Sequence, residues 1–201
     1  DHYEDILGTY LVQLSARKMG VDESEEATEL LKSIGDFERI SDHAVNILES
    51  AEELRGKGIE FSETAQQELQ VLGEALREIM DYAYRSFTAV DAQTARRIEP
   101  VEEVVDDMVA TLRTNHIRRL RDGQCTVYAG LVFLDILINA ERIADQCSNL
   151  GVYTISQFDP SVMNSHHEYI HRLHQGNDPV FNREYQEKHE KYFGMLSAIN
   201  D

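Results

Sequence analysis

Two short segments of the chain each carry a glutamate and an aspartate four residues apart. The first reads ERISDHAVN and places Glu38 before Asp42, and the second reads ERIADQCSN and places Glu141 before Asp145. Residues four apart lie on the same face of an α-helix, so each pair stacks two carboxylates one turn apart. Two carboxylates at this spacing repel each other, and a partly buried pair needs a positive partner. An arginine, another helix or a metal ion could provide that charge.

The helices that precede these segments offer matching carboxylates. Glu102 and Asp106 are four residues apart in IEPVEEVVDDM, and Asp1 and Asp5 have the same spacing at the start of the sequence. Two facing helices that each provide such a pair create an oxygen-rich site, which suits hard cations such as Fe(III), Mg(II), Mn(II) or Ca(II). The predicted metal ligands are Glu38, Asp42, Glu102, Asp106, Glu141, Asp145, Asp1 and Asp5.

The surroundings of the pairs favour a specific site over a merely acidic surface. In a chain with 37 Asp and Glu residues, one such pair alone would indicate a solvated face. Both segments, however, also share the arginine that follows the glutamate, Arg39 or Arg142, and a trailing asparagine, Asn46 or Asn149. We expect the arginines to orient the carboxylates or to contact a counter-anion such as phosphate.

Long helices must position these residues, because apolar side chains recur with the helical period along almost the whole chain, interrupted at RGKG and RDG. Three prolines and 11 glycines are too few for a β-fold with many turns. The recurrence of residues 30–48 at 133–151 indicates a duplicated three-helix module. The sequence thus predicts an all-α protein of two tandem antiparallel three-helix bundles related by a pseudo-twofold axis, with residues 1–93 in the first and 94–201 in the second.

Charge and cysteine content narrow the function classes. The 201 residues include 19 Lys and Arg against 37 Asp and Glu, for a formal net charge of −18. This charge argues against a broad surface for nucleic acid or anionic lipid. Two cysteines provide no disulfide framework and no signal peptide is recognisable, so we expect a cytosolic setting. The most apolar run, 128–140, contains Asp135 and is shorter than the roughly 18–20 residues of a membrane-spanning helix.

The two ERI-x-D segments resemble the signature segments of the PhoU family, phosphate-signalling proteins built from two three-helix bundles. Residues 3–15 and 112–146 further resemble the cytosolic PhoU-like domain that follows the membrane part of bacterial sodium/phosphate cotransporters. The glycine usual in the family between Ile and Asp is replaced by Ser41 and Ala144, both small. The first helix is truncated before Asp1, so we expect the first site to be incomplete.

The resemblance implies a non-catalytic regulator of phosphate uptake, the cytoplasmic C-terminal domain of a sodium-dependent phosphate cotransporter of the inner membrane. It implies bound iron, with magnesium, manganese or zinc as alternatives, held by the predicted carboxylates. The implied partner is the membrane part of the same polypeptide or a separate phosphate transporter, and phosphate itself and a second copy of the chain are further candidates. A free-standing PhoU-type regulator is the alternative within the family.

Two patterns indicate other classes of protein. HEYIH (167–171) fits H-E-x-x-H, in which two histidines bind zinc in a metalloprotease, but the segment has room for only a short helix between Pro160 and the break at 176–179. A ferritin-like di-iron enzyme needs two E-x-x-H motifs on inward-facing helices, and only Glu168 with His171 provides one. We interpret the segment as a surface histidine patch. A metal-free scaffold bundle is the remaining alternative.

Overall fold

The computed structural model describes residues 2–16, 20–163 and 166–200. No strand occurs within these ranges, which confirms the predicted all-α class. A π-helical turn, Leu173–Asn177, joins the last two helices. The α-helices are α1 (His2–Ser15), α2 (Val21–Gly56), α3 (Glu63–Ala89), α4 (Ala92–Ala95), α5 (Ile98–Arg121), α6 (Val127–Ser156), α7 (Pro160–Met163), α8 (His166–Arg172) and α9 (Pro179–Asn200).

The helices begin and end where the sequence offers caps and turn residues. The Ser62 side chain accepts a hydrogen bond from the Ala65 amide at the start of α3, and the Thr126 side chain does the same for Ala129 at the start of α6. Gly123 has a φ of 69° in the turn between α5 and α6, a conformation that glycine adopts without steric cost. The breaks predicted at RGKG and RDG are confirmed.

Helices α3, α5, α6 and α9 share one buried apolar core. Its fully buried members include Ile79 of α3, Met108 of α5, Leu137 of α6 and Tyr192 of α9. Helix α2 packs partly buried side chains such as Phe37 against this core. Burial of each large apolar side chain contributes about 1.5–3 kcal/mol, so the core holds together helices from both predicted bundles. The boundary near residue 93 stays a prediction.

Helices α2 and α6 pack side by side in opposite directions. Near one end of the pair, the Ser156 hydroxyl donates to the Glu29 carboxylate over 2.6 Å. Near the other end, the Ser50 hydroxyl donates to Asp135 over 3.1 Å. Residue numbers therefore fall along α6 as they rise along α2. The two repeated segments of the sequence face each other in this antiparallel pair.

The asparagines of the repeat make related contacts across this pair. Asn46 donates a hydrogen bond to Asn139 over 3.1 Å. The residues at the corresponding places of the repeat are Asn149 and Asp36, and hydrogen bonding from Asn149 acts against the burial that raises the pKa of Asp36. The duplicated segments thus pack around a local pseudo-twofold axis, in line with the repeat.

The chain after α6 returns to the α5 side of the molecule. Val162 of α7 is buried against Val152 and Ile155 at the end of α6. The π-helical turn then redirects the chain, with Gly176 at a φ of 74°, and α9 packs along α3 and α5. None of the helices in the described ranges is both long enough and apolar enough to cross a membrane.

Candidate metal centre

A groove between α5 and α6 collects carboxylates from both helices. It has a volume of about 600 Å³ and is lined by three of the predicted ligands, Glu102 and Asp106 from α5 and Asp145 from α6. Glu99 and Glu103 also line it. The four acidic residues of α5 follow one another at intervals of three, one and three, so they lie on one side of the helix, while the valines between them fill the core.

Burial and mutual repulsion raise the pKa values of these acids. Glu102 is only 8% exposed, and burial, followed by the charges of Glu99 and Asp106, raises its pKa to about 10. Burial also raises the pKa of Asp106 to about 7, and the charges of Glu141 and Asp145 add to this effect. Glu102 therefore holds a proton at neutral pH unless a cation takes its place.

Several oxygen atoms at the groove have no partner that would satisfy them. Oδ1 of Asp106 and Oε1 of Gln146 are buried and accept no hydrogen bond from the described residues. Within the same ranges, Glu102 makes no hydrogen bond or ion pair. Since buried polar atoms nearly always have partners, and since the donors are oxygens, this set of residues fits a hard metal ion.

Arginines contact two of the carboxylates from the rim. Arg142 Nη1 lies 3.2 Å from Asp145 Oδ2, which is the orienting contact predicted for this arginine, and it offsets part of the rise that burial causes in the pKa of Asp145. Glu141 lies beside the groove with its Oε2 atom 3.8 Å from Arg113 Nη2. Arg39 contacts the buried aspartate three residues before it, over 3.0 Å.

The described carboxylates predicted for the first site do not line this groove. Asp42 on α2 and Asp5 on α1 are exposed, and Glu38 is half-buried. In the part of the chain that the structure describes, the residues close enough together to hold an ion do not include these three. Asp1 lies outside the described residues. Of the predicted ligands, only Glu102 belongs to the set of described residues close enough to share an ion. Asp106 and Asp145 line the same groove as Glu102, whereas the described carboxylates of the first site do not.

Three residues of the groove were missed in the sequence. Glu99 lies about one helical turn before Glu102 on α5 and Glu103 directly follows it, so a search of the neighbouring acidic positions would have found them. His174 also lines the groove. Its position depends on the π-helical turn, and the sequence indicated only a histidine-rich surface patch there. Local spacing carries no signal for such a contact between distant segments.

The segment with the H-E-x-x-H pattern forms only the short helix α8, as predicted. Glu168 is exposed, and His171 Nδ1 lies 3.1 Å from Nε2 of Gln175, one turn further on. The side chain of His167 lies outside the described residues. These contacts of the described residues do not form a protease-like zinc site.

Comparison with known proteins identifies the family to which this chain belongs. The PhoU domain model matches residues 1–51 and 69–154. The chain is also 31% identical over 121 residues to the phosphate-specific transport system accessory protein PhoU homolog 1 of Thermotoga maritima. That alignment covers 60% of this chain and 51% of the relative, so the chain spans about half the length of the curated protein it matches. No solved structure matches the chain. The PhoU domain match extends over more than half of the sequence, and the chain therefore belongs to the PhoU family.

Proposed function

We propose that this chain regulates phosphate transport as a metal-binding helical domain. PhoU family proteins are regulators rather than enzymes. The observation that carries the proposal is the groove in which buried Glu102 and half-buried Asp106 face Asp145 with too few positive partners. Such a cluster of carboxylates destabilises the folded protein in the absence of a cation. A cation that binds there can alter the packing of the two helices.

The metal is held by α5 and α6 in this proposal. Glu102 and Asp106 from α5 and Asp145 from α6, which line the groove, provide oxygens, and Arg142 keeps Asp145 in place. Glu141, beside the groove near Arg113, is the further ligand from α6 in this proposal. Iron is the ion that we propose, with magnesium, manganese and zinc as alternatives, because carboxylate oxygens are ligands for hard cations. The bound ion supplies the positive charge that lets these acids ionise inside the groove.

The partner in this proposal is a phosphate transporter of the inner membrane. The resemblance of residues 3–15 and 112–146 to the domain after the membrane part of sodium/phosphate cotransporters supports a cytoplasmic domain in the same polypeptide. A free-standing regulator fits the PhoU match equally well. The sequence that precedes Asp1 in the gene discriminates between them, since a run of membrane-spanning segments supports the cotransporter and an initiator methionine close by refutes it.

A phosphate-uptake measurement tests the regulatory proposal. The gene is deleted and replaced by wild type, by Glu102→Gln/Asp106→Asn, or by Glu49→Gln/Glu52→Gln, which changes two exposed acids of α2 as a matched control. Wild type and control should restore the normal dependence of uptake of labelled phosphate on external phosphate, and the groove variant should not. If the deletion itself leaves uptake unchanged, the chain is not a regulator of phosphate transport.

A further inference from the structure

The π-helical turn brings a histidine to the rim of the groove. His174 Nε2 lies 2.8 Å from Oε1 of Glu99, and its Nδ1 lies 3.1 Å from Oε2 of Glu103. The second oxygen of Glu99 accepts a hydrogen bond from the hydroxyl of Ser148 on α6. Phe181 of α9 packs against the histidine ring, with 5.7 Å between ring centroids. The two glutamates and Phe181 thus fix the position of the histidine ring. The metal ligands predicted from the sequence were all carboxylates, so a nitrogen ligand from this histidine would be new.

Three side chains here are close enough to share one ion. Ligand atoms of Glu99, Glu102 and His174 all lie within 4.8 Å of one another. Two ligands of one zinc ion, each about 2 Å from the metal, are themselves roughly 3.3 Å apart, so little movement is needed. Glu102 is more than nine-tenths buried, lines the groove, and has no hydrogen-bond or ion-pair partner in the described ranges.

We propose that Glu99, Glu102 and His174 form a second metal position in the groove, which takes a borderline divalent ion such as Zn(II) and fastens the segment Leu173–Asn177 to α5. An imidazole nitrogen combined with carboxylates selects zinc and similar ions over magnesium or calcium. This inference rests on the proposed function only because both metal positions use Glu102 and lie in the same groove. Its own ligands are Glu99 and His174.

The neighbouring side chains complete such a site. With Nε2 on the metal, Nδ1–H of His174 donates to Glu103, which fixes the tautomer and the orientation of the ring. Ser148 holds the other oxygen of Glu99 in the same way. These contacts are the outer partners that metal-binding histidines and carboxylates usually have. The competing account is a simple ion pair, in which a protonated His174 balances Glu99 and Glu103 without metal.

Zinc titration of the full chain separates the two accounts. Metal-free protein is titrated with Zn(II) in competition with a chelator of known affinity, for wild type, His174→Ala, Glu99→Gln and the control His171→Ala, a neighbouring exposed histidine. We expect His174→Ala and Glu99→Gln each to weaken zinc binding by about 100-fold, the upper end of what loss of even an outer partner costs. The control should bind zinc as wild type does.

X-ray absorption at the zinc edge then identifies the ligands. Wild type should show the multiple-scattering pattern of a coordinated imidazole, and His174→Ala should lose it. Equal zinc affinity in wild type and His174→Ala, or a zinc environment without imidazole, would overturn the inference. Glu141→Gln/Asp145→Asn tests the other position: it should lose the hard cation while its zinc binding stays dependent on His174. Failure of this inference is thereby distinguished from failure of the proposed function.

Discussion

Half-buried Glu78 and buried Glu102 have opposite surroundings. At the contact of α3 with α9, burial alone would raise the pKa of Glu78, but hydrogen bonds from Lys188, Tyr192 and Lys191 hold it well below its usual range. In the groove, burial and neighbouring carboxylates raise the pKa of Glu102 to about 10. Lysine side chains thus contact the carboxylate of Glu78, whereas no cationic side chain in the described residues contacts that of Glu102. A metal ion from solution is the missing partner that this contrast indicates.

Metal-dependent stabilisation is the largest effect that the contrast predicts. A ligand present at 100 times its Kd stabilises a folded protein by about 2.7 kcal/mol, and each kcal/mol shifts the Tm of a domain of this size by about 2–4 °C. Iron(II) or manganese(II) should therefore raise the Tm of chelator-treated wild type by about 5–10 °C. Thermal unfolding followed by circular dichroism measures this shift.

The variant Glu102→Gln/Asp106→Asn should lose this shift, because it removes two ligand charges while it keeps side-chain shape. The exposed pair Glu49→Gln/Glu52→Gln should keep it. A shift of the same size in all three proteins would place the metal outside the groove.

Glu78→Gln should destabilise the protein by about 1–2 kcal/mol at pH 7, since hydrogen bonds to charged groups contribute about 1.5–3 kcal/mol and these lysines keep some contact with water. A carboxyl with a lowered folded-state pKa stabilises the fold above its unfolded pKa of 4.5, and this contribution is lost as the pH falls below that value. Urea unfolding of wild type and variant at pH 7 and pH 3.5 measures it. A difference that persists unchanged at pH 3.5 would argue against the ion pairs as its source.

Glu102→Gln should have the opposite outcome in metal-free protein. The carboxyl is already protonated at pH 7, so a neutral amide of similar shape should leave the free energy of unfolding within about 1 kcal/mol of wild type. Urea unfolding in the presence of chelator gives the value. A loss as large as that of Glu78→Gln would mean that Glu102 has a positive partner in the protein.

Asp42→Asn should have the smallest effect. Asp42 belongs to the same sequence pattern as Asp145 but is exposed on α2, and surface substitutions of this kind usually change stability by less than about 0.5 kcal/mol. The Tm of this variant should match that of wild type with and without added metal. A metal-dependent shift that disappears in Asp42→Asn would restore the first predicted site.

The helices were predictable because their signals are local. The helical period of apolar residues, the breaks at RGKG and RDG, and caps such as Ser62 and Thr126 all depend on neighbours in sequence. The repeat also identified α2 and α6 as equivalent elements, and the structure pairs them through contacts such as Asn46 with Asn139. Spacing on α5 and α6 was enough to pick out Glu102, Asp106 and Asp145, which line one groove, while their role as metal ligands stays a prediction.

The truncation before Asp1 predicted an incomplete first site, but the difference in burial between the two repeated pairs was not predictable from the sequence. Glu38 and Asp42 have the same spacing as Glu141 and Asp145, but burial of a carboxylate depends on what packs against its helix. In the second repeat, α5 and the segment that carries His174 complete a groove around the acids. Such contacts join residues far apart in the chain, and neither the motif nor the repeat specifies them.

The metal content of gently purified protein tests the central claim most directly. The 201-residue chain is purified without chelators, and its metals are determined by elemental analysis beside Asp106→Asn/Asp145→Asn and the control Glu49→Gln/Glu52→Gln. We predict a stoichiometric amount of metal, iron first among the candidates, in wild type and control, and little in the groove variant. Wild type that is free of metal and does not take up iron, manganese, magnesium or zinc on titration would contradict the account.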